Sequence, residues 1–503
     1  MKLREWIRPA AVLLPLLLAL GWRLWLRGVY YGWEESDYGN LAMIRGVLDG
    51  GFRHYDMNHM PGYYGLSALL LVLVDDTVVA ARTVTLVGGM VAMALSLVLT
   101  LRLAGPLAAL LSGLLLAFQP EFSLYSASSL REPVYAAFIL GMLYALSRER
   151  MGWAGLCAAG AFLVRFDGMF IFTPLLLFHA LGSGPRPSRV AWALAPLAGV
   201  ILLWSSYTWV DHGTPFFWSH SVEVNVETGL GEEAESPLAW LARGAQVSGA
   251  LLAGLLPSRI GWGPWAGLFL TLGTVAWRRH GLERTWVLLG VLMLGFWAAV
   301  GFIGQHSPDH NLYWKWLCPI VPVILPLGVS GLLRLSRRLG RLSGPLGALP
   351  GSGMVLVVML LALWGSARET RRQVELSVQL YKPQLDLARW VEAEVPEDLP
   401  LLLDNIPACW IDRRPHRRAL HSWFDVPGEG DPAAFAAWLR AERVGWVLWF
   451  VEDWTQAPVA APFLAGGGSW RGEGVELVET QREDGYGWIL YRVRRLDEGP
   501  GDG

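Results

Sequence analysis

Long apolar runs separated by short polar loops fill the first 366 residues of the chain and then stop. A helix that crosses a bilayer needs about 20 mainly apolar residues. Runs of that kind fall at 9–27, 79–101, 104–119, 133–147, 168–182, 190–209, 261–277, 285–303, 316–334 and 347–366. The stretch 152–165 is shorter, but Arg150 and Arg165 flank it as they would flank a crossing. The first run follows Lys2, Arg4 and Arg8, as a signal peptide would. It ends in Trp22-Arg23-Leu24-Trp25-Leu26-Arg27 with no small-residue cleavage site, which predicts a retained anchor. Two further apolar stretches, 61–74 and 238–256, are expected to lie in the interface or to re-enter; the second carries Arg243, Gln246 and Ser248.

Positive charge collects in cytoplasmic loops. The basic loops are the N-terminus, Arg102, Arg148 with Arg150, Arg186 with Arg189, Arg278-Arg279 with Arg284, and Arg334 through Arg341. Placing them all inside gives about eleven crossings, a cytoplasmic N-terminus and an extracytoplasmic C-terminus in the cell (inner) membrane. The loops 28–78, 120–132, 210–260 and 304–315 then face outward, and they hold most of the acidic residues of this half.

Composition agrees with that division. Charged residues make up 17% of the 503 residues, where a soluble domain carries about 25%. They are uneven: about 12% over residues 1–366 and about 28% over residues 367–503. The expected architecture is a polytopic α-helical membrane domain, residues 1–366, followed by a small extracytoplasmic α/β domain, residues 367–503. In the second part Pro400 to Leu403 and Val444 to Phe450 read as strands, Pro432 to Glu442 as a helix, and Glu476 to Thr480 with Gly487 to Val493 as a hairpin across Asp484-Gly485. A net charge of −2 gives no case for nucleic-acid binding. Cys157, Cys318 and Cys409 show no zinc spacing and cannot build a disulfide framework.

The chemistry-bearing residues gather in the outward loops. Trp33-Glu34-Glu35-Ser36-Asp37-Tyr38 sets three carboxylates among aromatics at the membrane surface, where they repel one another and resist desolvation. Such a cluster suits a general base or a divalent-cation site, and equally a solvated loop start. An apolar helical face follows, ending at Gly50-Gly51. Arg53, His54, Asp56, Asn58, His59 and the run Met60-Pro61-Gly62-Tyr63-Tyr64 come next. A polar loop running into an apolar interfacial stretch resembles a pocket for an amphiphile with a charged head.

This order of features resembles the first outer loop of the GT-C membrane glycosyltransferases, in the branch of the protein O-mannosyltransferases and the lipid A aminoarabinose transferase. Glu34-Glu35 stands where those families have Asp-Glu, and His59 to Tyr64 where they have Pro-x-Tyr-Tyr. Pro120, Tyr125, Ser126 and Leu130-Arg131-Glu132-Pro133 look like the second acidic loop. Leu163 to Gly168 is similar to the recurrent Thr-Arg-Pro-Glu-Gly, and Gly213-Thr214-Pro215 to a later Gly-x-Pro. Glu34 carries one methylene more than the usual Asp, and Met60 replaces a frequent Lys or Pro.

The resemblance implies an inverting transfer of a sugar from a polyprenyl phosphate to a glycan, lipid or protein acceptor at the outer face. Glu34 would be the general base, with Glu35 as neighbour and alternate, and Glu132 would orient the acceptor or back up the first loop. Asp37, Tyr63 and Tyr64 would line the substrate site. Arg53, His59, Arg131, Arg165 and Lys315 are candidates for the phosphate that leaves. No cofactor is expected, although the carboxylate cluster leaves room for a divalent cation. Plainer roles stand beside these: Lys315 snorkelling at a helix start, Arg165 pairing with Asp167 at a tight turn, Glu121 facing water, and His306 with His310 in an ordinary loop. Two other classes compete for the whole chain. A secondary transporter would carry mid-membrane ionisable residues and paired repeats, which are not seen here. A non-catalytic membrane assembly protein would have no need of the Glu34-Glu35 loop.

Overall fold

The computed structural model describes residues 2–31, 35–50, 60–182, 187–215, 281–304, 312–342, 348–395, 400–403, 419–421, 431–450, 468–483 and 488–496. The chain divides into two compact units: Met1–Tyr31, Gly46–Leu70 and Ala81–Glu375 form one, and Gly32–Arg45, Leu71–Ala80 and Leu376–Gly503 the other.

The described helices are α1 (Lys2–Val29), α2 (Glu35–Gly50), α3 (Pro61–Val74), α4 (Thr77–Ala104), α5 (Pro106–Phe118), α6 (Pro120–Tyr125) and α7 (Glu132–Ser147). Then come α8 (Met151–Val164), α9 (Gly168–Gly182), α10 (Pro187–His212), α11 (Gly281–Gly304), α12 (Leu312–Leu342) and α13 (Ala348–Glu394). Among the described residues, Ile7–Val29, Thr77–Ala104, Pro187–Asp211 and Cys318–Arg338 are long and apolar enough to cross a membrane, and α3, α5, α7, α8 and α9 are shorter apolar helices. Their bare faces carry Leu17, Leu203 and Val210, exposed by 66, 72 and 89%. An apolar surface of that kind is solvated by lipid, and the chain is an integral membrane protein. The apolar runs 238–256 and 261–277 lie outside the described residues.

Inside the first unit, polar atoms serve the backbone. Pro326 in α12 has no N–H, so the carbonyl of Pro322 loses its helical partner. Ser96 of α4 donates to that oxygen at 2.7 Å, and Trp286 Nε1 of α11 donates to Val323 O at 2.8 Å. In a bilayer an unpaired carbonyl costs several kcal/mol, and the Ser96 bond offsets that cost at Pro322. Cys157 and Cys318 are free thiols.

The second unit contains a six-stranded sheet in the order β2-β1-β3-β6-β5-β4. Its strands are β1 (Leu401–Leu403), β2 (Ala419–His421), β3 (Trp446–Phe450), β4 (Trp470–Gly472), β5 (Val475–Glu483) and β6 (Trp488–Arg495). β1 runs parallel to β2 and β3, and the remaining pairs are antiparallel. The helix α14 (Pro432–Ala441) starts where Asp431 accepts from Ala433 N at 2.9 Å and Pro432 occupies the first turn. Its apolar stripe, Phe435, Ala436 and Leu439, buries against Leu402, Val447, Val475, Leu477 and Ile489.

Candidate active site

One end of the first unit gathers the end of α1, the starts of α3, α4 and α7, and the α8–α9 turn. Pro133 in the first turn of α7 fixes a helix start, and Glu132 beside it meets the positive end of the helix dipole. Across from it, α8 stops at Arg165, whose backbone is extended, and the chain turns through Phe166 and Asp167 into α9. The turn closes with Gly168 N bonding Arg165 O at 3.2 Å. A Cβ on Gly168 would sit 2.6 Å from the Phe172 ring, so the close packing there needs glycine.

These two segments bring five side chains together. Arg165 Nη1 donates to Glu132 Oε1 at 2.6 Å, and its Nε donates to Asp167 Oδ1 at 3.0 Å. The Tyr135 hydroxyl, one turn along α7 from Glu132, donates to Asp167 Oδ2 at 3.2 Å. The Arg165 guanidinium also lies over the Tyr135 ring, 5.9 Å from its centre. Arg131 Nε stands 3.9 Å from Glu132 Oε1. Glu132 and Asp167 are buried, with side chains only 3 and 4% exposed.

Two atoms of this cluster stay unbonded among the described residues. Glu132 Oε2 and Arg131 Nη1 are both buried and have no hydrogen-bond partner among the described residues. Leaving a buried charged group unsatisfied costs about 1–3 kcal/mol or more. The pair leaves one acceptor and one cationic donor at the mouth of the second acidic loop, the complement of a hydroxyl and an anion.

The supporting wall comes from α3 and α4. Tyr63 and Tyr64 are fully buried, with rings 5.4 Å apart at 70°. The Tyr63 hydroxyl meets Thr85 Oγ1 at 3.3 Å, and Thr85 donates to Leu130 O at 3.0 Å, one residue before Arg131. Gly62 passes so close to α8 that a Cβ there would lie 2.7 Å from Leu163 O. Tyr63 is thus tied through Thr85 to the backbone that leads into Arg131 and Glu132.

The other residues proposed from sequence divide differently. Glu34, Arg53 and His59 lie outside the described residues, as do His306 and His310. Glu35 and Asp37 fall in the first turn of α2, and Lys315 in the first turn of α12, and of these only the helical backbone is described. No three His, Cys, Asp or Glu side chains come together as metal ligands among the described residues.

Glu121 corrects an expectation. It does not face water: it is 1% exposed, within α6, which packs against α1, α5 and α12. Burial pushes its carboxyl up to about 8, against a backbone hydrogen bond that lowers it, with the Glu369 charge adding to the rise. Gln119 holds it, donating to Glu121 Oε2 while accepting from Phe122 N at 2.7 Å. Tyr135 and Thr85 were not singled out by sequence. The signal for Tyr135 was its place three residues after Glu132 on one helix face.

Known structures share this architecture. ArnT from Cupriavidus metallidurans, solved with undecaprenyl phosphate, superposes with a TM-score of 0.59 at 14% identity, covering 95% of this chain and 97% of its own. The oligosaccharyltransferase AglB from Archaeoglobus fulgidus, solved with an inhibitory peptide and a dolichol-phosphate, superposes with a TM-score of 0.51 at 13% identity, covering 90% and 70%. Both are GT-C superfamily glycosyltransferases. The chain has the GT-C fold. At these identities the likeness is one of fold, and it extends over nearly the whole chain. No protein-family model and no curated protein matches the sequence.

Proposed function

We propose that the protein is an inverting glycosyltransferase which moves a sugar from a polyprenyl-phosphate donor to an acceptor at the outer face of the cell membrane. The observation that carries this reading is the near full-length GT-C fold combined with an acidic second loop whose Glu132 and Arg131 keep a buried acceptor and a buried cationic donor unbonded among the described residues. The bound lipids of ArnT and AglB are polyprenyl phosphates, which supports a lipid of that class here.

In the proposed reaction Glu34 takes the proton of the acceptor hydroxyl or amine as that atom attacks the anomeric carbon. The bond from the anomeric carbon to the phosphate oxygen breaks, and the lipid phosphate leaves with the electron pair. Glu35 and Asp37 are neighbours of the base, and a divalent cation, where one takes part, has these first-loop carboxylates as its ligands. Glu132 Oε2 accepts a hydrogen bond from the acceptor. Arg131 faces the developing phosphate charge, with Arg53, His59 and Lys315 as further cations. Arg165 holds Glu132 and Asp167 in place and adds positive charge behind them.

The proposed topology keeps the N-terminus in the cytoplasm and the loops 28–78 and 120–132 outside. Residues 1–366 form the catalytic membrane domain, and residues 367–503 an extracytoplasmic α/β domain. The test is the lipid extract of cells that lack the chain. A polyprenyl-phosphate-linked sugar should accumulate there, and the mass of its head group names the sugar. An unchanged polyprenyl-lipid profile would instead favour the transporter or assembly reading.

A further inference from the structure

Among the described residues, five arginines stand at the end of the first unit that carries Glu132, and four of them are engaged by carbonyls or carboxylates. Arg165 holds Glu132 and Asp167, and Arg131 adjoins Glu132. Arg23 is fully buried; its guanidinium reaches Ala19 O at 3.3 Å and Ala117 O and Leu116 O at 3.5 Å, and lies 5.1 Å from the Phe122 ring centre. Arg82 Nη1 donates to Arg27 O and its Nη2 to Tyr30 O, both at 3.3 Å. These are carbonyls at the end of α1 that the helix itself cannot satisfy.

Arg27 differs. Among the described residues its guanidinium makes one bond, Nη2 to Thr83 Oγ1 at 3.4 Å, and it is neither fully buried nor fully exposed. The contacts are reciprocal: Arg27 reaches across to Thr83 on α4, and Arg82, the residue before it, reaches back to the Arg27 carbonyl. The end of α1 and this part of α4 are thereby tied together from both sides. Each guanidinium carries a full positive charge, and Arg27 meets no carboxylate among the described residues.

Their depth says what they face. Arg27 lies in the last turn of the α1 span, whose neighbouring turn carries Trp22 stacked on Trp25 at 4.7 Å, with Trp25 half exposed. Tryptophans of that kind mark the headgroup level of a bilayer. A fixed arginine with free donors at that level matches a phosphate carried on a lipid, since the guanidinium fork pairs with phosphate oxygens. Thr85, one turn along α4 from Arg82, bonds Leu130 O, so this clasp and the Arg131-Glu132 segment belong to the same end of the unit.

We infer that Arg27, braced by Arg82, is a binding site for the phosphate group of a membrane lipid. Where that lipid is a polyprenyl phosphate the inference rests on the proposed transferase reading; where it is an ordinary anionic phospholipid it does not. Arg27 supplies the contact and Arg82 fixes the end of α1 that presents it.

The test uses the purified full-length protein in nanodiscs and measures binding of three probes by native mass spectrometry: undecaprenyl phosphate, phosphatidylglycerol and inorganic phosphate. The variants are Arg27→Gln, Arg27→Lys and, as a control of equal charge change, Arg148→Gln, an exposed arginine bonded to the Tyr144 hydroxyl. Arg27→Gln should weaken undecaprenyl phosphate binding about tenfold or more, Arg27→Lys should restore part of it, and Arg148→Gln should match the parent. Arg27 is held by one long bond, so the folded fraction should be unchanged, as a melting curve checks. If Arg27→Gln binds undecaprenyl phosphate like the parent, the inference fails while the transferase reading stands. If the parent binds phosphatidylglycerol alone and loses it on Arg27→Gln, the inference holds and the transferase reading loses its donor. If no probe binds the parent, both fail; if inorganic phosphate binds equally well and independently of Arg27, the lipid site is excluded.

Discussion

Arg165 Nη1 donates to Glu132 Oε1 at 2.6 Å, across 33 positions of sequence, and so ties the α8–α9 turn to the first residue of α7. The same guanidinium holds Asp167 through Nε. One cation therefore holds two buried carboxylates, and removing it would leave Asp167 without its counter-charge and Glu132 with Arg131 alone, 3.9 Å away.

Arg165→Ala should destabilise the protein by about 3–5 kcal/mol, the usual cost of breaking a buried pair by deleting one partner. Arg165→Lys should recover only part of this, because an ammonium cannot present the planar fork that reaches both acids. Tyr135→Phe, which removes one bond to Asp167, should cost about 0.5–1.5 kcal/mol. Melting temperatures in detergent should rank parent, Tyr135→Phe, Arg165→Lys, Arg165→Ala. A parental melting temperature for Arg165→Ala would show that the ion pairs do not form.

Glu121 predicts a pH signature. Its folded value is about 8, well above the 4.5 of an ordinary glutamate. Between those values the folded state keeps the proton that the unfolded state has released, so stability from this group falls as pH rises, by up to about 1.4 kcal/mol per unit. Below the lower value it contributes no penalty, and above the upper one the penalty is constant. Glu121→Gln should therefore melt like the parent near pH 4.5 and above it at pH 8. A gap independent of pH would contradict the burial of an ionisable carboxyl here.

Gly62 tests the approach of α3 to α8. A Cβ would meet the backbone carbonyl of Leu163, which cannot rotate aside as a side chain could. Gly62→Ala should cost about 1–3 kcal/mol by overpacking, despite the better helix propensity of alanine. A stabilised Gly62→Ala protein would mean that the two helices stand further apart.

The proposed topology is open to impermeant thiol labelling in intact cells, with Cys157, Cys318 and Cys409 replaced. Ser469→Cys and Gly213→Cys lie at exposed positions and should label. Glu149→Cys, whose parent side chain is 71% exposed, should be protected because Arg148 and Arg150 place that loop in the cytoplasm. Labelling of Glu149→Cys with protection of Gly213→Cys would invert the orientation. Ser128 is unsuitable as a reporter, since it is fully buried in the second acidic loop.

Local signals were legible from sequence. Pro432 after Asp431 marked the start of α14, and the alternation on either side of Asp484-Gly485 marked the β5–β6 pair. The apolar runs marked α1, α4, α7 and α12, because hydropathy is a property of the segment itself. Charge density, in contrast, changes near residue 366 while α13 continues unbroken from Ala348 to Glu394, since a helix ends where its backbone bonding ends. The three-residue strands β2 and β4 are too short to show a period. Glu121 looked solvent-facing because loops usually are, but α6 is covered by α5 and α12, a tertiary contact that no local pattern encodes. The Glu132–Arg165 and Arg82–Tyr30 contacts were hidden for the same reason, joining residues 33 and 52 positions apart.

The general base tests the account most directly. Cells lacking the chain should be complemented with Glu34→Gln, Glu34→Asp or Glu35→Gln at equal protein levels, and the polyprenyl-phosphate-linked sugar in their lipid extracts measured. Glu34→Gln keeps the shape of the side chain but not its basicity, and transfer should fall by about 10²–10⁴-fold, leaving the donor lipid accumulated as in the deletion. Glu34→Asp should restore part of the transfer and Glu35→Gln most of it. Full clearance of the donor lipid by all three variants would contradict base catalysis from this loop, and with it the proposed transferase mechanism.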